Sequence, residues 1–334
     1  MIDTVDMSEK LKLGLADILK PIEGYLKSVD EEIKLQLHTG IPVLDDSAFH
    51  LFEKGGKKIR ASLVVLSSGL RSEPPDNVTE IAAAAEIVHC ASLIHDDIID
   101  NSSMRRGVAT VSAKWGNNVA VLVGDYMYTR ALNISVGESK RNMFPILVSA
   151  ATDMVKGELY QIEYSNIDKI SKTHYFTIIE LKTARFMAAC MKMGGSMGMM
   201  SDDECEILYS IGLNLGFAFQ IVDDTLDVMD DRETTGKDGG NDFIEGKITL
   251  PLLHMLESVE PAERRKLMAY MKEPDRENWK IVKKKVEEMD AVRFSLDVAD
   301  RYTQKVYELL DALPASCYKD IIRDLSKFLV ERNY

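Results

Sequence analysis

Apolar residues return at three- and four-residue intervals along nearly the whole chain, as in Leu11, Leu15, Ile18, Leu19, Ile22 and Leu26, while alternating strand patterns are almost absent. That period lays one apolar stripe along each helix and leaves no half-buried strands to pair, so an all-α fold is expected. Punctuation falls at Gly40-Ile41-Pro42, Gly55-Gly56, Pro74-Pro75, between Gly137 and Pro145, at Gly194-Gly195, in the 231–242 loop and at Pro274. The spacing predicts helices near 8–37, 43–53, 58–71, 77–101, 117–135, 146–168, 173–193, 202–230 and 244–257, then several shorter ones. No connection is a long or compositionally biased linker. One domain spanning residues 1–334 is therefore expected rather than two.

Charge narrows the function. The 41 Lys and Arg against 54 Asp and Glu leave a net charge of −13, with no long basic block. Non-specific nucleic-acid binding needs many clustered cations, so it is excluded, and any phosphate must be met locally. The four cysteines, Cys90, Cys190, Cys205 and Cys317, lie far apart without a CxxC pair, which signals neither a zinc site nor a disulfide framework. The opening MIDTVDMSEKLK has no basic-then-apolar pattern, and no stretch reaches the ~18 uninterrupted apolar residues of a membrane span. A cytoplasmic protein without stable membrane insertion is expected.

Two segments resemble each other. ASLIHDDIIDN at 91–101 and FQIVDDTLDVM at 219–229 each end an apolar helical run with Asp-Asp-x-x-Asp, presenting Asp96, Asp97 and Asp100 in one and Asp223, Asp224 and Asp227 in the other. Within each, the first and last aspartates stand at i and i+4 on one helix face, where like charges repel unless a cation compensates. Hard carboxylate oxygens suit Mg²⁺, which binds through one or two carboxylates together with substrate phosphates. One such motif alone also suits a solvated acidic face. Two copies whose first aspartates are 127 residues apart suit two helices facing each other across a cavity.

The cations indicate what such metals would hold. Gly55-Gly56-Lys57-Lys58-Ile59-Arg60 ends one helix and opens the next, so free N–H groups, Lys57 and Arg60 can address one phosphate group. Arg105-Arg106-Gly107 follows the first aspartate motif, and guanidinium forks match phosphate oxygens. Lys182-Thr183, Gln220 one turn before Asp224, and Lys237 and Lys247 around a glycine-rich loop complete the set. Each alone also reads as surface charge or an ordinary cap; jointly they describe a cavity for two polyphosphates and several Mg²⁺ ions. His89 and His95 stand six residues apart, unsuited to one metal, and read first as core histidines, with His95 supporting its helix by hydrogen bonding. Met187, Met191 and Met193 sit at core-like spacing.

These motifs identify a resemblance to the trans-isoprenyl diphosphate synthases, the polyprenyl synthetase family. GGKKIR at 55–60, EIVHCASLIHDDIID at 86–100, RRG at 105–107, GDY at 124–126, KGELYQ at 156–161, KTA at 182–184, GFAFQIVDDTLD at 216–227 and GKDGGNDFIEGKITLP at 236–251 occur in the family's order over nearly the whole chain. Departures are small: Ala61 stands where proline is frequent, Leu181 where lysine is common, and Val108-Ala109 where a more polar pair often follows RRG.

The resemblance implies the isoprenoid synthase fold, a helical bundle around a central cavity with the two aspartate-rich helices facing each other. It implies Mg²⁺-dependent head-to-tail condensation of isopentenyl diphosphate with an allylic prenyl diphosphate, releasing diphosphate. Metal ligands would come from Asp96, Asp97, Asp100, Asp223, Asp224 and Asp227, around three Mg²⁺ ions. Arg105, Lys182, Lys237 and Lys247 would add charge on the allylic side, Thr183 and Gln220 would turn oxygen dipoles to the cation, and Lys57, Arg60, His89 and Arg106 would hold isopentenyl diphosphate. Small residues before Asp96, namely Ser92, Ala91 and then Val88, with Ala82 to Ala85 beyond, imply a product of C20 or longer, with C20 to C35 as the expected range. The family also implies a homodimer through helices around 117–168. A C15 farnesyl synthase, a class I terpene cyclase and an inactive partner subunit are the competing readings. A cyclase should lack the second DDxxD, the GGKxxR and the paired arginines, and a degenerate subunit should have lost some of the six aspartates.

Overall fold

The computed structural model describes residues 14–53, 55–105, 107–137, 143–229 and 239–330. Arg106 and Lys237, both expected at the site, lie outside the described residues. The first half contains α1 (Leu15–Leu19), a 3-10 turn (Lys20–Ile22), α2 (Glu23–Leu37), α3 (Pro42–Glu53), α4 (Ile59–Ser68) and α5 (Val78–Ile99). Pro21 accounts for the interruption in what the sequence reads as one helix over 8–37, because it has no N–H to donate to the preceding turn. A hairpin follows, β1 (Met104–Arg105) against β2 (Val108–Ala109), then α6 (Val111–Trp115), α7 (Asn117–Ile134) and α8 (Met143–Tyr164). The hairpin turns at Gly107, whose φ of +78° favours a residue without Cβ.

The expected helix over 173–193 is instead three pieces: α9 (Lys172–Ile179), a π-helical turn (Glu180–Ala184) and α10 (Arg185–Met197). The long α11 (Asp202–Met229) comes next, followed by α12 (Asn241–Ile244), α13 (Leu250–Ser258), α14 (Pro261–Lys272), α15 (Arg276–Glu288), α16 (Ala291–Asp311) and α17 (Cys317–Val330). Gly194-Gly195 does not break a helix. A Cβ on Gly194 would come within 2.1 Å of Ser67 Oγ and 2.2 Å of the Val64 carbonyl, so the glycine lets α10 lie directly on α4.

α5 and α11 organise the bundle. α5 packs against α7, α4 and α2, while α11 packs against α10 and α16. Both are long and apolar enough to cross a membrane by composition, yet more than half of the most apolar stretch of each is buried inside the protein. The stretch from Val119 to Val123 divides: Ala120 and Val123 face inward, whereas Val121 and Leu122 are exposed. Met187, Met191 and Met193 are buried in the main core, as their spacing leads one to expect.

Candidate active site

α5 and α11 bring their aspartate-bearing ends to one cavity of about 1890 Å³, with α8, α9 and the glycine loop before α4 completing its wall. Of the expected residues, Lys57, Arg60, His89, Ser92, Asp96, Asp100, Arg105, Lys182, Thr183, Gln220, Asp223, Asp224 and Lys247 all line it. Its lining combines these polar groups with apolar side chains such as Leu93, Ile99, Leu159 and Ile162, the two kinds of surface that a diphosphate with a hydrocarbon tail needs.

Each aspartate motif sends part of its set to the cavity. Asp96 and Asp100 face the cavity from α5. Burial, reinforced by Glu158 and Asp100, pushes Asp96 up to about 6 despite the opposing charges of Lys182 and Arg105. Asp97, expected among the metal ligands, instead turns inward and accepts a hydrogen bond from Arg105 Nε at 2.7 Å. In the second motif Asp223 and Asp224 both line the cavity, and Asp224 and Asp227 also accept hydrogen bonds from neighbouring donors. Asp224 accepts from Tyr175 Oη at 2.6 Å and from Gln220 Nε2 at 2.8 Å. Its burial pushes it up to about 7 against those two donors. Asp227 accepts from the backbone N–H groups of Asn241 and Asp242 at 3.0 and 3.1 Å, anchoring the start of α12. Of the six aspartates expected at the metals, Asp96, Asp100, Asp223 and Asp224 line the cavity, and Asp97, Asp224 and Asp227 accept hydrogen bonds from protein donors. Successive helical residues point about 100° apart, so adjacent aspartates cannot share one direction.

Lysines tie the two halves together. Lys247 Nζ donates to Asp100 Oδ2 at 3.3 Å and to Glu245 Oε2 at 2.7 Å, joining the loop after α11 to the first motif. Burial works against its charge, but these two carboxylates hold its ammonium above the usual lysine range. Lys182 donates to Gln161 Oε1 at 3.1 Å and pairs with Glu158. Glu158 and Gln161 belong to the KGELYQ segment, the signal in the sequence that marks them as site residues. The π turn carrying Lys182 and Thr183 is seated between two glycines. A Cβ on Gly157 of α8 would meet Lys182 Cγ at 2.8 Å, and one on Gly216 of α11 would meet Ala184 Cα at 2.4 Å. Wide π turns recur at functional sites because they redirect side chains that a regular helix would stagger.

Sequence reasoning assigned no role to Tyr175 or Glu86; with Tyr128 they make three further contributors. Tyr175 lines the cavity and holds Asp224. Tyr128 of α7 also lines it; burial and the nearby Asp96 raise its phenol. Glu86 accepts from the Ala61 N–H at 2.9 Å, a donor that a proline at this position would lack. His95 meets its expected supporting role, with Nε2 3.2 Å from the Val121 carbonyl in the space left by Gly124. Of the residues expected to set chain length, Ser92 lines the cavity, whereas Ala91 and Val88 are fully buried beside it on α5 and are not part of the lining. The small-residue run Ala82 to Ala85 is likewise enclosed by packing.

The site's donor chemistry fits Mg²⁺. Asp96 and Asp100 from α5 and Asp223 from α11 offer hard oxygens to one cavity, and burial disfavours uncompensated charge at Asp96. Among the described residues no three acidic, histidine or cysteine side chains converge into one cluster. Coordination shared between one or two carboxylates and phosphate oxygens is the arrangement such a donor set suits.

The polyprenyl synthetase family model matches residues 41–289. Heptaprenyl diphosphate synthase component 2 of Geobacillus stearothermophilus is 33% identical over 92% of this chain and 96% of its own length. Octaprenyl diphosphate synthase of Haemophilus influenzae is 31% identical over 98% of this chain and 100% of its own. A crystal structure of a polyprenyl synthase from Caulobacter crescentus CB15, complexed with calcium and isoprenyl diphosphate, superposes with a TM-score of 0.90 at 30% identity, covering 97% of this chain and 100% of that one. With the paired aspartate helices and the phosphate-suited cations around one cavity, these matches show that the chain belongs to the polyprenyl synthetase family and is a trans-prenyl diphosphate synthase, a prenyltransferase of the all-α isoprenoid synthase fold.

Proposed function

We propose that the enzyme condenses isopentenyl diphosphate head to tail with an allylic prenyl diphosphate in a Mg²⁺-dependent reaction, releasing diphosphate and an all-trans product of C20 or longer. The observation that carries this reading is one cavity lined by Asp96 and Asp100 from α5 and Asp223 from α11, together with Lys182, Arg105 and Lys247. Mg²⁺, when bound, neutralises the leaving diphosphate as a Lewis acid. Arg105, Lys182 and Lys247 add fixed positive charge where negative charge develops on that group, which favours ionisation of the allylic C–O bond. Thr183 and Gln220 present oxygen atoms to the resulting carbocation. Lys57, Arg60 and His89 orient isopentenyl diphosphate so that its double bond attacks the cationic carbon. Loss of a proton to the released diphosphate then restores the alkene, and no protein base is required.

The cavity wall supports the longer product. Ser92 is small and stands one turn before Asp96, and the heptaprenyl and octaprenyl names of the relatives support a product longer than C15. Helices α7 and α8 support a homodimer: Val121 and Leu122 of α7 with Phe144 of α8 are exposed apolar side chains outside the cavity lining. Light scattering at micromolar concentration should give twice the chain mass, and a monomer would remove the dimer reading.

Product analysis tests the reaction. Purified protein, Mg²⁺, labelled isopentenyl diphosphate and each allylic primer in turn should yield a ladder of alcohols, after dephosphorylation, ending at C20 or beyond. A C15 end product would keep the reaction and overturn the length. No incorporation with any primer would overturn the reaction and favour a cyclase or a subunit that needs a partner. Chelation with EDTA should abolish turnover, and turnover that survives it would overturn the Mg²⁺ requirement.

A further inference from the structure

Tyr175 is buried between α9 and α11, only 3% exposed, and no step above uses it. Its hydroxyl begins a chain of directed hydrogen bonds that ends at the reacting centre. Tyr175 Oη donates to Asp224 Oδ2 at 2.6 Å, and the other oxygen, Oδ1, accepts from Gln220 Nε2 at 2.8 Å. With Tyr175 donating to one oxygen and Gln220 Nε2 to the other, Gln220 turns its amide nitrogen toward Asp224 and its carbonyl away. That carbonyl accepts the Thr183 hydroxyl proton at 2.9 Å. Thr183 has one proton and has committed it, so what it has left to present to the cavity is lone pairs. Three elements meet in this chain: α9 supplies Tyr175, the π turn supplies Thr183, and α11 supplies Gln220 and Asp224.

We propose that Tyr175 is a positioning residue that sets the polarity of this relay, so that Thr183 and Gln220 offer oxygen lone pairs rather than hydrogens to the electron-poor allylic carbon. Without its hydroxyl, Asp224 keeps one donor instead of two and is free to rotate about Cβ–Cγ. Gln220 then loses its fixed acceptor, its amide can turn over, and Thr183 no longer has a defined place for its proton. The loss falls on the transition state, where positive charge develops, and spares substrate binding. The inference rests on the condensation proposed above.

The test is a double-mutant cycle in the full-length enzyme with Mg²⁺, isopentenyl diphosphate and an allylic primer. Tyr175→Phe should lower kcat about 10- to 100-fold with KM for isopentenyl diphosphate changed less than about threefold. In a Thr183→Val background, the same Tyr175→Phe change should cost less than about threefold, because the relay's end is already gone. Thr183→Ser keeps the hydroxyl and should retain the full sensitivity to Tyr175→Phe. An equal cost in the Thr183→Val background would show that Tyr175 acts only by packing and would overturn the proposal. So would wild-type kcat in Tyr175→Phe. Should Tyr175→Phe fail to fold, Asp224→Ala reads the same relay by leaving the Gln220 amide nitrogen without its acceptor. Its kcat should fall by a similar factor, and unchanged turnover would overturn the proposal. An inactive wild type would remove the underlying reaction instead, a result distinct from an active wild type with an unaffected variant.

Discussion

Asp97 and Arg105 form a 2.7 Å pair in which the aspartate is only 1% exposed, so the second aspartate of the first motif serves an arginine rather than the cavity. Removing one partner of a buried pair typically costs about 3–5 kcal/mol. Asp97→Ala should therefore lower Tm by several degrees and, by loosening Arg105, raise KM for the allylic substrate. Its dependence on Mg²⁺ concentration should match the wild type, whereas Asp96→Ala should need far more Mg²⁺. Initial rates across a Mg²⁺ titration separate the two, and an equal shift in both variants would place Asp97 among the metal ligands.

Gly216 carries the π turn on α11. An alanine there would bring Cβ to 2.4 Å from Ala184 Cα, and backbone cannot yield as a flexible side chain can. Overpacking of this kind costs about 1–3 kcal/mol. Because Gln220 stands one turn further along α11, Gly216→Ala should also lengthen the Thr183–Gln220 contact of 2.9 Å and lower kcat more than Tm alone would suggest. Turnover measured well below the variant's Tm checks this; undiminished kcat would show that the π turn tolerates displacement.

The metal-free protein should lose stability as pH rises through the range of Asp96. Burial raises this carboxyl from its ordinary 3.8 to about 6. The folded chain therefore holds a proton that the unfolded chain releases, and this contribution is complete below about pH 3.8 and lost as pH rises through about 6. A difference of about two pH units corresponds to at most about 3 kcal/mol. Urea unfolding in EDTA across this window should show a shallower decline for Asp96→Asn than for the wild type. Parallel curves would show that Asp96 ionises freely in the fold.

Two neighbours on α5 should behave differently toward bulk. Ser92 lines the cavity, so Ser92→Phe should shorten the product with little change in Tm. Ala91 is fully buried and does not line it, so Ala91→Phe should chiefly destabilise, as inserted core volume does by about 1–3 kcal/mol. Chromatography of the product alcohols beside thermal unfolding distinguishes the cases. A shortened product from stable Ala91→Phe would show that the elongating chain does reach that position.

Helical periodicity was legible because it is local: the ends of α3, α5, α7 and α11 fall within one or two residues of their expected places. The identity of the chemistry was legible too, since only carboxylates at i and i+4, lysines and arginines can supply those ligands. Which aspartate does which job was decided by tertiary contact. Asp96 and Asp97 are alike in sequence, but Arg105 in the hairpin captures one and the cavity receives the other. Gly157 and Gly216 lie far from Lys182 along the chain, yet their missing side chains make room for the π turn that aims it. Gly194-Gly195 reads as a break by propensity, while packing against α4 keeps it helical, because the energy of close helix contact exceeds the local cost of about 1 kcal/mol per glycine. The sequence by itself determined the helices and the reaction's ingredients, which depend on spacing and chemical type; only the tertiary structure decided the direction of each side chain, which depends on the donors that folding brings beside it.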